Sequence, residues 1–169
     1  MTGFMGTGKS LVGKILAKKT GLIFVDTDEL IVEQAGKSVN SIFEEDGEWI
    51  FRQIETKVIL GICKNKGQVI STGGGAVTVE GNLNIMKESG LLVALTASPD
   101  AILNRIKDEG HRPLLKADNS KRTIEELLFK RQVFYKQADV IIDTTDISPD
   151  VVAEKILKLK LPDRLKWKQ

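Results

Sequence analysis

The run Gly3-Phe4-Met5-Gly6-Thr7-Gly8-Lys9-Ser10 fits the spacing G-x-x-x-x-G-K-[ST]. The chemistry needs that spacing. Glycines let backbone N–H groups turn inward around a phosphate, and the helix that follows adds its positive N-terminal end. A lysine at position 9 reaches the β- and γ-phosphates, and a hydroxyl at position 10 ligates Mg²⁺. Here the motif runs straight into a helical pattern, with Leu11, Val12, Ile15 and Leu16 apolar and a stop before Gly21. Nucleotide-phosphate binding is the expected chemistry.

Three further groups of residues carry chemical promise. Asp26-Thr27-Asp28 follows directly on the apolar run Ile23-Phe24-Val25. Carboxylates at the C-terminal end of a strand lie on the ligand edge of an open α/β sheet. Asp26 and Asp28 can serve a metal and an acceptor hydroxyl, although acids in this position also cap helices. Ser71-Thr72-Gly73-Gly74-Gly75-Ala76 follows Val69-Ile70, and three glycines allow a ligand to approach the backbone closely or make a flexible turn. Arginines complete the set. Arg52 has Glu48 and Glu55 at i−4 and i+3, which suits a surface ion pair equally well, and Arg131 suits a solvated helix face. Arg112 lies in an aperiodic stretch.

These residues need a scaffold, and the pattern supplies one. Ile23–Val25, Val69–Ile70, Leu91–Leu95 and Val140–Ile142 read as strands buried on both faces, as parallel strands are. Ser98-Pro99 and Ser148-Pro149 each place an N-cap before a first-turn proline. Thr123 with Glu126 predicts a capping box for a helix running to about Ala138, and another helix is predicted over residues 48–64. Strand–helix alternation of this kind predicts an α/β sandwich with a mainly parallel sheet. Asp108 to Arg122 has no periodicity and is long enough to act as a lid.

The bulk properties exclude several classes. The 169 residues suit one domain, and a formal net charge of +2 argues for neither a nucleic-acid nor a membrane partner. The single cysteine, Cys63, cannot form an internal disulfide, and its apolar surroundings suit packing in a reducing compartment. No apolar run has the ~18 residues of a membrane span, which leads us to expect a cytoplasmic protein. The basic end of the chain reads as a solvated tail over residues 162–169, after a single domain over 1–161.

Taken together, GFMGTGKS, DTD, IFEEDGEWIFRQIE, STGGGAV, RPLL and KRQVFY resemble the shikimate kinase family in order and approximate spacing, over nearly the whole chain. The GGG element and the DGE-x-x-FR-x-x-E pattern are the specific parts. The resemblance implies ATP-dependent phosphorylation of shikimate at its 3-hydroxyl, on the route to aromatic amino acids. It implies that Gly6, Thr7, Gly8, Lys9, Ser10 and Leu11 bind ATP, with Ser10 on Mg²⁺ and Asp26 holding the ion through water. Lys9, Asp28 and Arg112 would be the catalytic set, Asp28 as substrate ligand and base, Arg112 as a lid arginine that also binds ATP. Arg52 and Arg131 would grip the shikimate carboxylate, with Glu55 orienting Arg52, and Gly73, Gly74 and Gly75 would offer backbone N–H groups. Phe43 and Phe51 would form an aromatic wall, and Arg105 would cover adenine. The family fold has a five-stranded parallel sheet, flanking helices and a lid, and the family expectation is a monomer.

Two departures stand out. Thr145 to Ser148 lack a basic residue where the family contacts adenine. Only Met1 and Thr2 precede Gly3, so the first strand is expected to be missing and the natural start to lie upstream. The rival readings are a gluconate-type carbohydrate kinase, which shares the phosphate loop, and a non-catalytic ligand-binding relative.

Overall fold

The computed structural model describes residues 1–107 and 121–159. The expected lid, 108–122, lies outside them except for Lys121 and Arg122, which are helical, and the expected basic tail, 162–169, lies wholly outside them. The strands are β1 (Thr2–Gly3), β2 (Ile23–Asp26), β3 (Gln68–Ser71), β4 (Val93–Thr96) and β5 (Val140–Asp143). The helices are α1 (Lys9–Thr20), α2 (Thr27–Ala35), α3 (Val39–Glu45), α4 (Gly47–Ile62), α5 (Asn82–Ser89), α6 (Pro99–Ile106), α7 (Lys121–Tyr135) and α8 (Pro149–Leu157).

Every recorded strand pairing is parallel: β2 with β3, β1 with β4, and β4 with β5. The first strand, expected to be missing, is present as a two-residue stub paired with Ala94 and Leu95. Met1 stitches the two halves together. Its N–H donates to Ile70 O, and its carbonyl accepts from Thr72 N at 3.0 Å, the pattern of a parallel ladder around Ser71. The strands therefore follow the order β2-β3-β1-β4-β5, with β1 between β3 and β4, where the phosphate loop leaves the middle of the sheet.

Helices cover both faces. Val12 and Leu16 of α1 and Val152 and Ile156 of α8 pack with Val93 and Leu95 on one side. On the other, Ala94 meets Phe4, Ile102, Ile106, Ile124 and Tyr135. A third cluster, Ile31, Ile42, Phe51, Val58 and Ile62, joins α2, α3 and α4 beside the ligand edge. Burial of each large aliphatic side chain contributes ~1.5–3 kcal/mol.

Burial on both faces holds for β4 but not for the outer strands. Ile23 is 65% exposed and Ile141 47%, because β2 and β5 each have a neighbour on only one side. The β4 ladder also starts two residues later than the apolar run, since Leu92 N is taken by the Asp139 carboxylate at 2.8 Å. The Ser98 and Ser148 caps form, accepting from Ala101 N and Val151 N. The start of α7 differs from expectation. It begins at Lys121, and Glu126 accepts from Arg122 Nε at 3.0 Å, an i,i+4 pair. Among the described residues no helix is long and apolar enough to cross a membrane.

Candidate active site

A cavity of about 460 Å³ opens at the C-terminal ends of β1, β2 and β3. Its lining includes Gly6, Gly8, Lys9, Ser10 and Leu11 from the phosphate loop and the start of α1, and Asp26 and Asp28 from the end of β2. Arg52, Glu55, Gly73, Gly74, Gly75, Arg105 and Arg131 complete the polar lining, with Phe43 and Phe51 beside them. Residues separated by more than a hundred positions thus share one cavity.

Local backbone chemistry shapes the phosphate loop. Gly8 is the N-cap of α1 in the left-handed region (φ 88°), which few other residues could occupy. The first turn of α1 carries no acidic residue, so its N-terminal N–H groups face no competing anion there. Lys9 Nζ folds back onto Phe4 O at 3.0 Å. Thr7 is placed differently from its neighbours. It is buried, and its hydroxyl donates to Phe4 O at 2.7 Å, bracing the loop from behind.

Ser10 Oγ donates to Asp26 Oδ2 at 2.8 Å and lies 3.3 Å from Ser71 Oγ. A hydroxyl and a carboxylate beside a phosphate site are hard oxygen ligands that fit Mg²⁺. Asp26 also caps α2, its Oδ1 accepting from Asp28 N at 3.0 Å, while its Oδ2 faces Ser10.

The arginines are not surface residues. Arg52 donates to Glu55 Oε2 at 2.6 Å and to Glu48 Oε1 at 2.9 Å, yet its side chain is only 12% exposed. Glu55 is wholly buried, and among the described residues its Oε1 has no hydrogen-bond partner. Burial, reinforced by the negative charge of Asp28, pushes the Glu55 carboxyl up to about 6 despite the pull of Arg52. Arg131 is 8% exposed and stacks over the Phe4 ring at 5.7 Å. Among the described residues no carboxylate lies within ion-pair distance of it. A buried guanidinium whose nearest acid, Glu55, is beyond ion-pair contact is costly, and an anionic ligand in the cavity would relieve that cost.

The three glycines lie against these charges. A methyl group on Gly73 would stand 2.8 Å from Glu55 Oε1 and 3.1 Å from Asp28 Oδ1, and one on Gly75 would stand 2.2 Å from Arg52 Nη2. Gly73 N donates to Thr27 Oγ1 at 3.1 Å, which ties this turn to the Asp26–Asp28 segment. Phe43 and Phe51 line the cavity side by side, their ring centroids 4.6 Å apart and their planes tilted by 40°.

Arg105 is engaged more fully than expected. It donates to Gly6 O, to Thr144 Oγ1 and O, and to Thr145 O. It thereby joins the phosphate loop to the β5–α8 connection. Arg112 falls in 108–120, outside the described residues. Two residues had escaped notice. Thr144 is buried, and its single hydroxyl proton lies between two acceptors, Thr7 O at 3.1 Å and Thr96 O at 3.0 Å. Tyr135, also buried, donates to Gly74 O at 2.7 Å. An i,i+4 spacing from Arg131 was the available signal for Tyr135; Thr144 had none.

Comparison with known proteins agrees with this geometry. A model of the family "Shikimate kinase" matches residues 5–160. The shikimate kinase of Thermodesulfovibrio yellowstonii is 46% identical over 94% of this chain and 91% of its own length. That of Geobacter sulfurreducens is 49% identical over 91% of this chain and 86% of its own. Among solved structures, the shikimate kinase from Acinetobacter baumannii in complex with shikimate superposes with a TM-score of 0.91 at 36% identity, covering 98% of this chain and 93% of that one. With the fold, the cavity and these likenesses in agreement, the chain belongs to the shikimate kinase family.

Proposed function

We propose that this protein transfers the γ-phosphoryl group of ATP to the 3-hydroxyl of shikimate, giving 3-phosphoshikimate and ADP on the route to aromatic amino acids. The observation that carries this reading is the buried Arg131, which among the described residues has no carboxylate in ion-pair contact and faces the same cavity as Arg52. Planar guanidinium groups suit a carboxylate, and the acceptor has one.

Each residue then has a task. The phosphate loop and the N-terminus of α1 hold the ATP phosphates, and Lys9 swings from Phe4 O to the β- and γ-phosphates. Ser10 and Asp26 would hold Mg²⁺, which supplies charge neutralisation at those phosphates when bound. Arg52 and Arg131 hold the acceptor carboxylate, and Glu55 fixes Arg52. Asp28, beside Gly73 on the cavity wall, accepts the proton of the acceptor hydroxyl. The hydroxyl oxygen bonds to the γ-phosphorus as the bond to the β,γ-bridging oxygen breaks, and ADP leaves. On the family's pattern the working unit is one domain over residues 1–161, a monomer in the cytoplasm.

Turnover assays with shikimate and with gluconate, each with and without Mg²⁺, test the reading. Mg²⁺-dependent turnover of shikimate well above gluconate is expected. Equal or better use of gluconate would overturn it.

A further inference from the structure

A run of three glycines is the loosest backbone a chain can offer, because no Cβ restricts either side of a peptide plane. Such a turn can present an N–H group to a ligand in one orientation only if something outside it holds the plane. Gly73 is held through its own N–H by Thr27 Oγ1. The Gly74 and Gly75 N–H groups make no hydrogen bond among the described residues. The Gly74–Gly75 plane is therefore held, if at all, through the Gly74 carbonyl. That carbonyl accepts from the Tyr135 hydroxyl at 2.7 Å.

Resting on the acceptor assignment above, we propose that Tyr135 is a positioning residue for the acceptor: by pinning Gly74 O it directs the Gly75 N–H into the acceptor site. In a trans peptide the C=O and the following N–H point in opposite directions, and no cis bond occurs among the described residues. Holding Gly74 O toward α7 thus turns the Gly75 N–H away from α7, at a residue that lines the cavity against Arg52. The clamp itself is rigid. The Tyr135 ring belongs to the cluster containing Phe4, Ala76 and Ile124. Burial pushes its hydroxyl up to about 12, so it stays a donor throughout the physiological range. Arg131 lies one helical turn earlier on α7 and lines the same cavity. One helix face therefore links the carboxylate grip to the peptide plane.

Tyr135→Phe removes the oxygen and keeps the ring. The expected result is a rise of about tenfold or more in the shikimate KM with the ATP KM within about twofold, and faster hydrogen exchange at the Gly75 amide. Equal change in both KM values, or no change in either, would overturn the proposal. Wild-type relaxation dispersion supplies an arm that needs neither the variant nor turnover. A single, non-exchanging Gly74–Gly75 peptide in the ligand-free enzyme is expected, and microsecond–millisecond flipping there would overturn the clamp. If wild-type enzyme fails to use shikimate, the acceptor assignment falls, whereas the Gly75 amide still decides the clamp.

Discussion

Glu55 and Arg52 form a buried pair, Nη1 to Oε2 at 2.6 Å, in which the acid is wholly out of solvent while the base lines the cavity. The pair costs stability and supplies position, and the two effects separate with pH. The folded-state carboxyl, at about 6, lies above its ordinary 4.5. Its contribution to stability is therefore fully present below the ordinary value and is lost as pH rises through the folded one. Relative to Glu55→Gln, the wild type should lose about 2 kcal/mol between about pH 4.5 and about pH 7.5. Denaturant unfolding of both proteins at the two pH values measures it, and a difference independent of pH would contradict it. Since a protonated Glu55 releases Arg52, kcat/KM for shikimate should fall below pH about 6 in the wild type and lack that inflection in the variant.

The glycine turn separates the two ligands. In Gly75→Ala the atoms nearest the new methyl are those of the Arg52 guanidinium, which Glu55 and Glu48 hold. Arg52 should be pushed off Glu55, raising the shikimate KM and costing ~1–3 kcal/mol of stability while ATP binding stays close to wild type. In Gly74→Ala the methyl meets Gly3 O at 2.9 Å and Phe4 Cα at 3.5 Å, backbone that leads into the phosphate loop. That variant should lose ~1–3 kcal/mol and weaken ATP as well as shikimate. Melting curves check the stability cost, and separate titrations of the two ligands distinguish the variants.

Thr144 is expected to act on the nucleotide side. Thr144→Val keeps the shape but leaves Thr7 O and Arg105 each short of a buried partner. The cost should be ~1–3 kcal/mol, with weaker ATP binding and nearly unchanged shikimate binding. A titration showing the opposite preference would place Thr144 elsewhere in the mechanism.

How legible this molecule was depended on where its chemistry is written. That Lys9, Ser10, Asp26 and Asp28 share one cavity could be read from type and spacing, because a glycine-rich loop and a strand's C-terminal end both lie on the ligand edge of such a sheet. Arg52 and Arg131 could not be told from surface residues by spacing; their burial, set by Phe51, Phe4 and Glu55, decides it. Tyr135 and Thr144 were missed because their partners are backbone carbonyls, which no residue type announces. The order of strands was hidden for the same reason, since Met1 joins the two halves of the sheet through main-chain bonds alone.

The central claim is that Arg131 recognises the acceptor's carboxylate. Shikimate and its methyl ester, assayed with wild-type enzyme and with Arg131→Ala, test it directly. A lost charged partner at a buried site costs on the order of 2–5 kcal/mol, or tens- to thousands-fold in affinity. Wild-type enzyme should therefore prefer shikimate over the ester by at least tens of fold. Arg131→Ala should lose most of that preference while its ATP affinity stays close to wild type. Wild-type enzyme that uses the ester as well as the acid, or a variant that loses both substrates equally, would contradict the account.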